Sequence, residues 1–284
     1  MSGCRLIVNA DDFGLSQKVN EGIADGHLHG IVTSTSILAN GPAFEHALQL
    51  LKTTPSLDVG IHLTLTEVAP VLKGWEIPSL VAKDGRFYRG PKAVLREWAL
   101  GRIDIGEVGR EFEAQIAKVL DHGVKVSHLD GHQHLHMLPG VRATVGYLAK
   151  KFGIKGVRHP KESVRRYMFG NPAGLGRLIE LVALNSFCAA TRADGGIAPD
   201  VFVGFFWGGR LDEDRLLQLL KGLPRSGTVE LMCHPGVYDP TSKYEHWKYE
   251  WQRELDALKS HVVRDFLQEI GVRLISYADL VHQD

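Results

Sequence analysis

The chain has 284 residues, 44% of them hydrophobic, and its 33 Lys and Arg balance 33 Asp and Glu for a formal net charge of zero. That composition suits a globular protein with a large core, and the lack of a Lys/Arg block argues against nucleic acid as a partner. No run of about 18 apolar residues is present to span a membrane, and no basic, apolar leader precedes the first strand as a signal peptide would. Cys4, Cys188 and Cys233 have no paired spacing and read as small core residues, so a reducing, cytoplasmic setting is expected.

Strand and helix patterns alternate along the whole chain. Arg5–Asn9 reads as a strand, and Ser16 as the N-cap of a helix running to about His29. Thr33–Leu38 is a β-branched strand, and Pro42 is expected to open a helix through Lys52. Val59–Leu65 alternates, with Val59, Ile61, Leu63 and Leu65 on one face and Gly60, His62 and Thr64 on the other. Val108, Phe112, Ile116 and Leu120 mark a helix over Glu107–Asp121. A strand at Val124–Asp130 and a helix at Pro139–Phe152 follow. Short strands are expected at Gly156–His159, Val201–Phe205, Val229–Cys233 and Arg273–Ser276, with helices at Asp212–Lys221 and Trp247–Leu267. Seven or eight βα units in one α/β chain without a linker predict a parallel sheet closed as a barrel, in a single domain spanning 1–284. Two long connections interrupt it. Residues 66–106 are expected to form a lid or small hairpin, and 161–200 contains an apolar helix at Leu175–Ala190.

In a βα barrel the chemistry sits where strands end. Asp11 and Asp12 end the first strand and His62 lies on the polar face of the third. His128, Asp130, His132, His134 and His136 crowd the end of the fourth; His159 and His234 follow later strands. One carboxylate and two imidazoles make a usual catalytic metal site, and Asp12, His62 and His132 are the best candidates. Strand-end carboxylates also begin turns, and a single His also serves as a hydrogen-bonded core residue. Both Asp side chains reach one site only if the chain bends, which Phe13-Gly14 is expected to supply. Asp130, His128, His134 and His136 are expected as supporting partners of the ligands or as substrate contacts. Pro235 restricts His234 to extended backbone, which suits a general acid and equally a loop-entry residue. Trp207 offers a plane for a sugar ring or for the core, and Arg158 a cation for an anionic or hydroxyl-rich group or for a surface pair.

Taken together, Asn9–Leu15 (NADDFGL), Ile31–Thr35 (IVTST), Gly60–Leu65 (GIHLTL), His128–Met137 (HLDGHQHLHM) and Cys233–Gly236 (CHPG) resemble the YdjC-like carbohydrate deacetylases, in order and over nearly the whole chain. The 161–200 insertion and the aromatic Tyr238–Trp251 stretch resemble the hopanoid-biosynthesis HpnK type. The resemblance implies a distorted TIM-like barrel and one divalent metal ion, Mg²⁺ or Zn²⁺, on Asp12, His62 and His132. It further implies Asp11 as base and His234 as acid. Two imidazoles favour Zn²⁺ or another transition ion. Gln133 stands where some members carry another His and is expected to be dispensable. The implied substrate is an N-acetylated amino sugar, lipid-linked in the HpnK type, with chitooligosaccharide as the competing substrate. The Leu175–Ala190 helix is then expected to meet lipid or a membrane surface, or else to pack on the barrel or a second subunit of a homodimer. A different metal hydrolase would more usually open with His-x-His after its first strand, and a non-catalytic metal protein would need neither Asp11 nor His234.

Overall fold

The structure is a computed structural model that describes residues 3–170, 174–191 and 196–282; residues 171–173 and 192–195 of the 161–200 connection lie outside the described set. Its centre is β1 (Cys4–Phe13), buried along nearly its whole length, as an apolar run inside a parallel sheet must be. β1 pairs on one side with β2 (Ser34–Ile37), followed outward by β3 (Asp58–Leu63), β4 (Val126–Gly131) and β5 (Gly156–Val157). On its other side stand β7 (Gly227–Cys233) and then β6 (Val201–Val203). All these pairings are parallel, and β8 (Arg273–Leu274) adds to Arg5 and Leu6 at the start of β1.

The expected barrel is present but open. Seven strands curl into a half-barrel, and among the described residues β5 and β6 share no ladder; a bridge joins Gly156 to Ile197. Helices α1 (Gln17–Leu28), α2 (Phe44–Thr53), α4 (Ile105–Asp121), α5 (Val141–Lys151), α7 (Glu213–Lys221), α8 (Trp251–Lys259) and α9 (His261–Glu269) accompany the strands, with α3 (Pro91–Ala99), α6 (Leu175–Ala190) and α10 (Tyr277–Val281) as additions. Ser16 caps α1 and Asp212 caps α7 by accepting the amides of Val19 and Arg215. The single helix expected over 247–267 is two, because Ser260 is extended and caps α9 through the amides of Val262 and Val263. Helix α2 starts at Phe44 rather than at Pro42.

One buried cluster runs through Leu6, Val8, Ile61, Leu129, Val203 and Leu231 on the strands and Ile23, Phe112, Val145, Leu219 and Leu258 on the helices. A second lies beside the β5–β6 opening, where Leu178, Leu181, Leu184 and Cys188 of α6 pack on Met137, Phe202, Phe205 and Met232. Burying each such side chain contributes about 1.5–3 kcal/mol, so α6 is seated on the barrel by its inner face. Its other face leaves Leu175, Ile179 and Val182 at 60%, 63% and 52% exposed. Among the described residues no helix is long and apolar enough to cross a membrane.

The 66–106 connection is a fixed wall rather than a loose lid. It contains one antiparallel bridge, Val81–Phe87, and α3, which begins with Pro91 in its first turn. Buried side chains of α4 hold the wall in place. Glu111 accepts the amides of Val71 and Leu72, Glu107 that of Ser79, and Gln115 bonds both backbone groups of Thr64.

Gly60 shows how the alternation of β3 sets the interior. A Cβ at this position would sit 2.3 Å from Cε1 and Nε2 of His128, so the missing side chain is the space His128 occupies. Gly60→Ala should therefore cost about 1–3 kcal/mol by overpacking, read as a lower midpoint in chemical denaturation.

Candidate active site

The first strand bends at Asp12 itself as well as at the expected Phe13-Gly14, where Gly14 has φ +100°. Asp12 has φ +71°, and the register between β1 and β2 shifts between Ala10 and Phe13. An L-residue held at positive φ is strained, and such positions cluster at functional sites. The bend brings both carboxylates to one place. Asp12 Oδ1 lies 2.9 Å from His132 Nδ1 and 3.4 Å from His62 Nε2, yet this buried oxygen makes no hydrogen bond. His132 opens a short 3₁₀ turn (His132–Met137) straight after β4, with Gln133 and His134 at positive φ. Gln133 accepts a hydrogen bond from Thr66 Oγ1 at 2.9 Å, so it ties this turn to the 66–106 wall.

Two overlapping sets of donors converge here: Asp12, His62 and His132, and Asp11, His62 and Asp130, each with ligand atoms within 4.8 Å of one another. Arg158 decides between them. Wholly buried, it grips Asp11 with two 2.7 Å bonds, reaches Asp130 at 2.7 Å and turns Nε to Glu230 at 2.7 Å. A guanidinium cation thus already occupies Asp11 and Asp130. Asp130 accepts from His62 Nδ1 at 2.8 Å, which in the neutral ring leaves Nε2 bare and facing Asp12. An unbonded carboxylate oxygen beside two imidazole nitrogens suits a divalent cation on Asp12, His62 and His132. Charge agrees: the acids gathered here, Asp11, Asp12, Asp130 and Glu230, outnumber the one guanidinium, Arg158.

Burial opposes ionisation of Asp12, but His132 and His62 outweigh it and hold the carboxyl well below its usual range. Burial likewise opposes charge on His62, yet Asp130 and then Asp11 push its pKa up to about 9. With no metal, a proton on this ring compensates part of the surplus. Glu230 is pushed up to about 7 by burial against the pull of Arg158 and a hydrogen bond from Tyr277.

The remaining expectations divide. His234 is buried beside the triad, its amide donating to Glu254 of α8 and its ring edge-on to Tyr249 at 4.9 Å. Burial lowers its pKa, against the pull of Asp12 and Asp11, and its Nδ1 has no partner. His128 contacts no cleft: it bonds Ser127 and Ser36 and stacks on Tyr277 at 3.8 Å. Ser36 in turn donates to Asp130. His136 sits against the Arg158 carbonyl, and His134 packs among Phe202, Phe205 and His136. Arg158 is neither a surface pair nor an open anion site, because its donors are spent inside the barrel. Trp207 lies parallel to Tyr167 and carries the Arg215 guanidinium 4.6 Å over its ring, so its plane is taken.

Sequence reading missed Asn9, Ser36, Glu230, Glu254 and Tyr277. Asn9 donates to Asp11 and Ser36. A charge amid Val229 and Leu231 was the one local signal for Glu230, since apolar strands rarely bury an unpaired acid.

The neutral buried imidazoles set an acid limit. Burial takes His128 down to about 4 and His136 to about 3, from about 6.5 in the unfolded chain. Both contribute stability that is complete above about pH 6.5 and lost as pH falls toward 4 and 3, because the unfolded chain then binds the extra protons. Unfolding free energy from denaturant titrations should fall between pH 6.5 and 4, and His128→Asn should flatten that slope.

Comparison with known proteins fits this geometry. Carbohydrate deacetylases of Listeria monocytogenes serotype 4b and Geobacillus stearothermophilus are each 34% identical to this chain, over 279 and 274 residues. The alignments cover 97% and 96% of this chain and 100% and 96% of those proteins. A crystal structure from Enterococcus faecalis V583, provisionally described as a cellobiose-phosphate cleavage protein, superposes with a TM-score of 0.79 at 27% identity. It covers 99% of this chain and 100% of its own. The YdjC-like protein family model matches residues 5–269, and the chain belongs to that family.

Proposed function

We propose that this chain is a metal-dependent N-deacetylase that hydrolyses the acetamido group of an N-acetylglucosaminyl unit, giving acetate and a free amino sugar. Family membership and the carbohydrate deacetylase relatives make it a hydrolase of carbon–nitrogen bonds. The observation that carries the reading is the grouping of Asp12, His62 and His132 with Asp11 and His234 beside them.

A divalent cation bound by Asp12, His62 and His132 would supply Lewis acidity, polarising the acyl oxygen and making water a stronger acid. Asp11 is our base. Arg158 holds it by both oxygens, so its orientation is fixed before substrate arrives and it takes the proton of the attacking water. His234 is our acid, protonating the departing nitrogen; its lowered pKa makes the ring a readier donor once protonated. The two carboxylates divide the work because Arg158 engages Asp11 and leaves Asp12 free.

For the substrate we favour a lipid-linked amino sugar of the hopanoid type. The support is α6, whose exposed Leu175, Ile179 and Val182 adjoin a cationic residue, Arg177, packed on Phe205. Arg177 is close enough to act electrostatically on His234. The same face would serve peripheral membrane contact. Chitooligosaccharide is the competing substrate and a homodimer the competing use of that face.

Acetate release from free, oligomeric and lipid-linked N-acetylglucosamine compounds tests this, using metal-stripped protein and protein restored with Zn²⁺ or Mg²⁺. Release should require metal and be fastest on the lipid-linked compound. A preference for chitooligosaccharides removes the hopanoid reading, and no release with metal bound points to a different metal hydrolase or to a non-catalytic metal protein. Asp11→Asn and His234→Ala should lower kcat about 10²–10⁴-fold with metal still bound. Asp12→Ala and His132→Ala should lose the metal in a direct titration, and Asp130→Asn should weaken its binding about 10–100-fold. Vesicle flotation of the triple variant Leu175→Ser, Ile179→Ser, Val182→Ser should show less bound protein than the parent; equal flotation ends the membrane reading.

A further inference from the structure

Trp207 is unable to offer a free ring face, yet the centre has another aromatic wall. After His234 the chain loops back over the triad, and Trp247, in a 3₁₀ turn (Glu245–Trp247), sets its ring 5.4 Å from that of His132. Its neighbours are tilted against it: His132 by 38°, Tyr244 by 43°, Tyr249 by 58° and Trp251 by 37°. None lies parallel to the indole, in contrast to Tyr167 on Trp207, at 12°. Trp247 is half-buried, and its Nε1–H is a buried donor without a partner.

The rim around it is polar in a particular way. Glu67, held at φ +66° where the 66–106 wall begins, points its carboxylate to within 3.9 Å of His246 Nε2, beside Trp247. Tyr244 lies close enough to both Asp12 and Glu67 for each to act on its hydroxyl. An unstacked indole, an idle N–H donor, a carboxylate acceptor and a phenol thus border one metal ligand. Pyranose rings ask for this combination. Their C–H faces pack on the electron-rich face of an aromatic ring, and their edge hydroxyls need acceptors and donors around it.

We propose that Trp247, flanked by Glu67 and Tyr244, is the platform for the amino-sugar ring, placing the 2-acylamino group of an N-acyl aminopyranose over Asp12, His62 and His132. This deepens the deacetylase reading and rests on it. Trp247 selects a sugar over a simple acetamide, and the aromatic loop after His234 is thereby the specificity element of the site.

The test separates binding from turnover. In Zn²⁺-loaded Asp11→Asn protein, calorimetric titration with N,N′-diacetylchitobiose reads the platform alone. Trp247→Leu in that background should weaken binding about tenfold or more, while metal stoichiometry and melting temperature stay as in the parent. Trp247→Phe should recover most of the affinity, Glu67→Gln should weaken binding in the same direction, and Trp207→Leu should leave it unchanged. In otherwise wild-type enzyme, Trp247→Leu should raise KM far more than it lowers kcat. Unchanged binding in Trp247→Leu, or loss in Trp207→Leu instead, overturns the proposal. Should Trp247→Leu lose metal or fail to fold, Trp247→Phe and Glu67→Gln decide, and unchanged binding in Glu67→Gln overturns it. Acetate release by the wild type is scored separately: its failure alongside intact, Trp247-dependent sugar binding removes the deacetylase reading and leaves the platform standing.

Discussion

Everything at the centre of this molecule depends on one buried cation. Arg158 is fully enclosed, and an isolated guanidinium there would be prohibitively costly. It is tolerated because Asp11, Asp130 and Glu230 each meet it at 2.7 Å from three different strands. The pairing also runs the other way: without Arg158, three acids would crowd the barrel interior with the His62 ring left to compensate part of their charge. Removing either side leaves uncompensated charge, so the network acts as a single unit. It locks the strand ends together and, in doing so, sorts the carboxylates, with Asp11 clamped, Asp130 supporting His62, and Asp12 left free.

Around that unit the fold is arranged in shells. Asn9 and Ser36 bridge Asp11 to Asp130, and His128 and Tyr277 close the far side, the latter donating to Glu230. Tyr277 belongs to α10, so the last described helix reaches the same charge network as the first strand. On the near side, Glu254 fixes the His234 backbone and the amide of Leu211. Glu254 is pushed up to about 7 by burial, against the amides it accepts. Buried acids that accept backbone amides recur in Glu111 and Glu162, which pin the 66–106 wall and the turn after β6. The 66–106 connection is thereby tied down beside the cleft, as a site that must orient a substrate requires.

The open side of the barrel is where the chain departs from a regular (β/α) design. β5 and β6 are two and three residues long, too short to pair across the gap, and the 161–200 connection leaves from this edge. α6 covers the edge with half of its surface and exposes apolar residues on the other half. That outer half mixes Leu175, Ile179 and Val182 with the polar Glu180 and Ser186, a more apolar outer face than a surface helix usually presents.

Much of this was legible in the residues. Strand and helix alternation and Ser16 as a cap follow from local pattern, because caps and periodicity are written within a few residues of each other; Asp12, His62 and His132 were legible as candidates because each falls on or at the end of a strand. Where the reading erred, the deciding contact was distant or sterically subtle. Phe13-Gly14 looked like the bend because glycine is the usual solution; Gly14 does take φ +100°, but Asp12, a residue with a side chain, takes φ +71° as well. Arg158 read equally as a cation for an anionic group or as half of a surface pair, because the acids it meets are far from it in sequence. Its partners are 147 residues away at Asp11 and 72 away at Glu230. Trp207 and Trp247 are indistinguishable as letters; only packing shows that one plane is stacked and the other is not. The sequence by itself determined which elements form and which residues gather at the strand ends, since those depend on short-range chemistry. The tertiary structure alone decided which acid is clamped, which is free and which aromatic plane faces the centre, since those depend on charges and rings brought together from opposite ends of the chain.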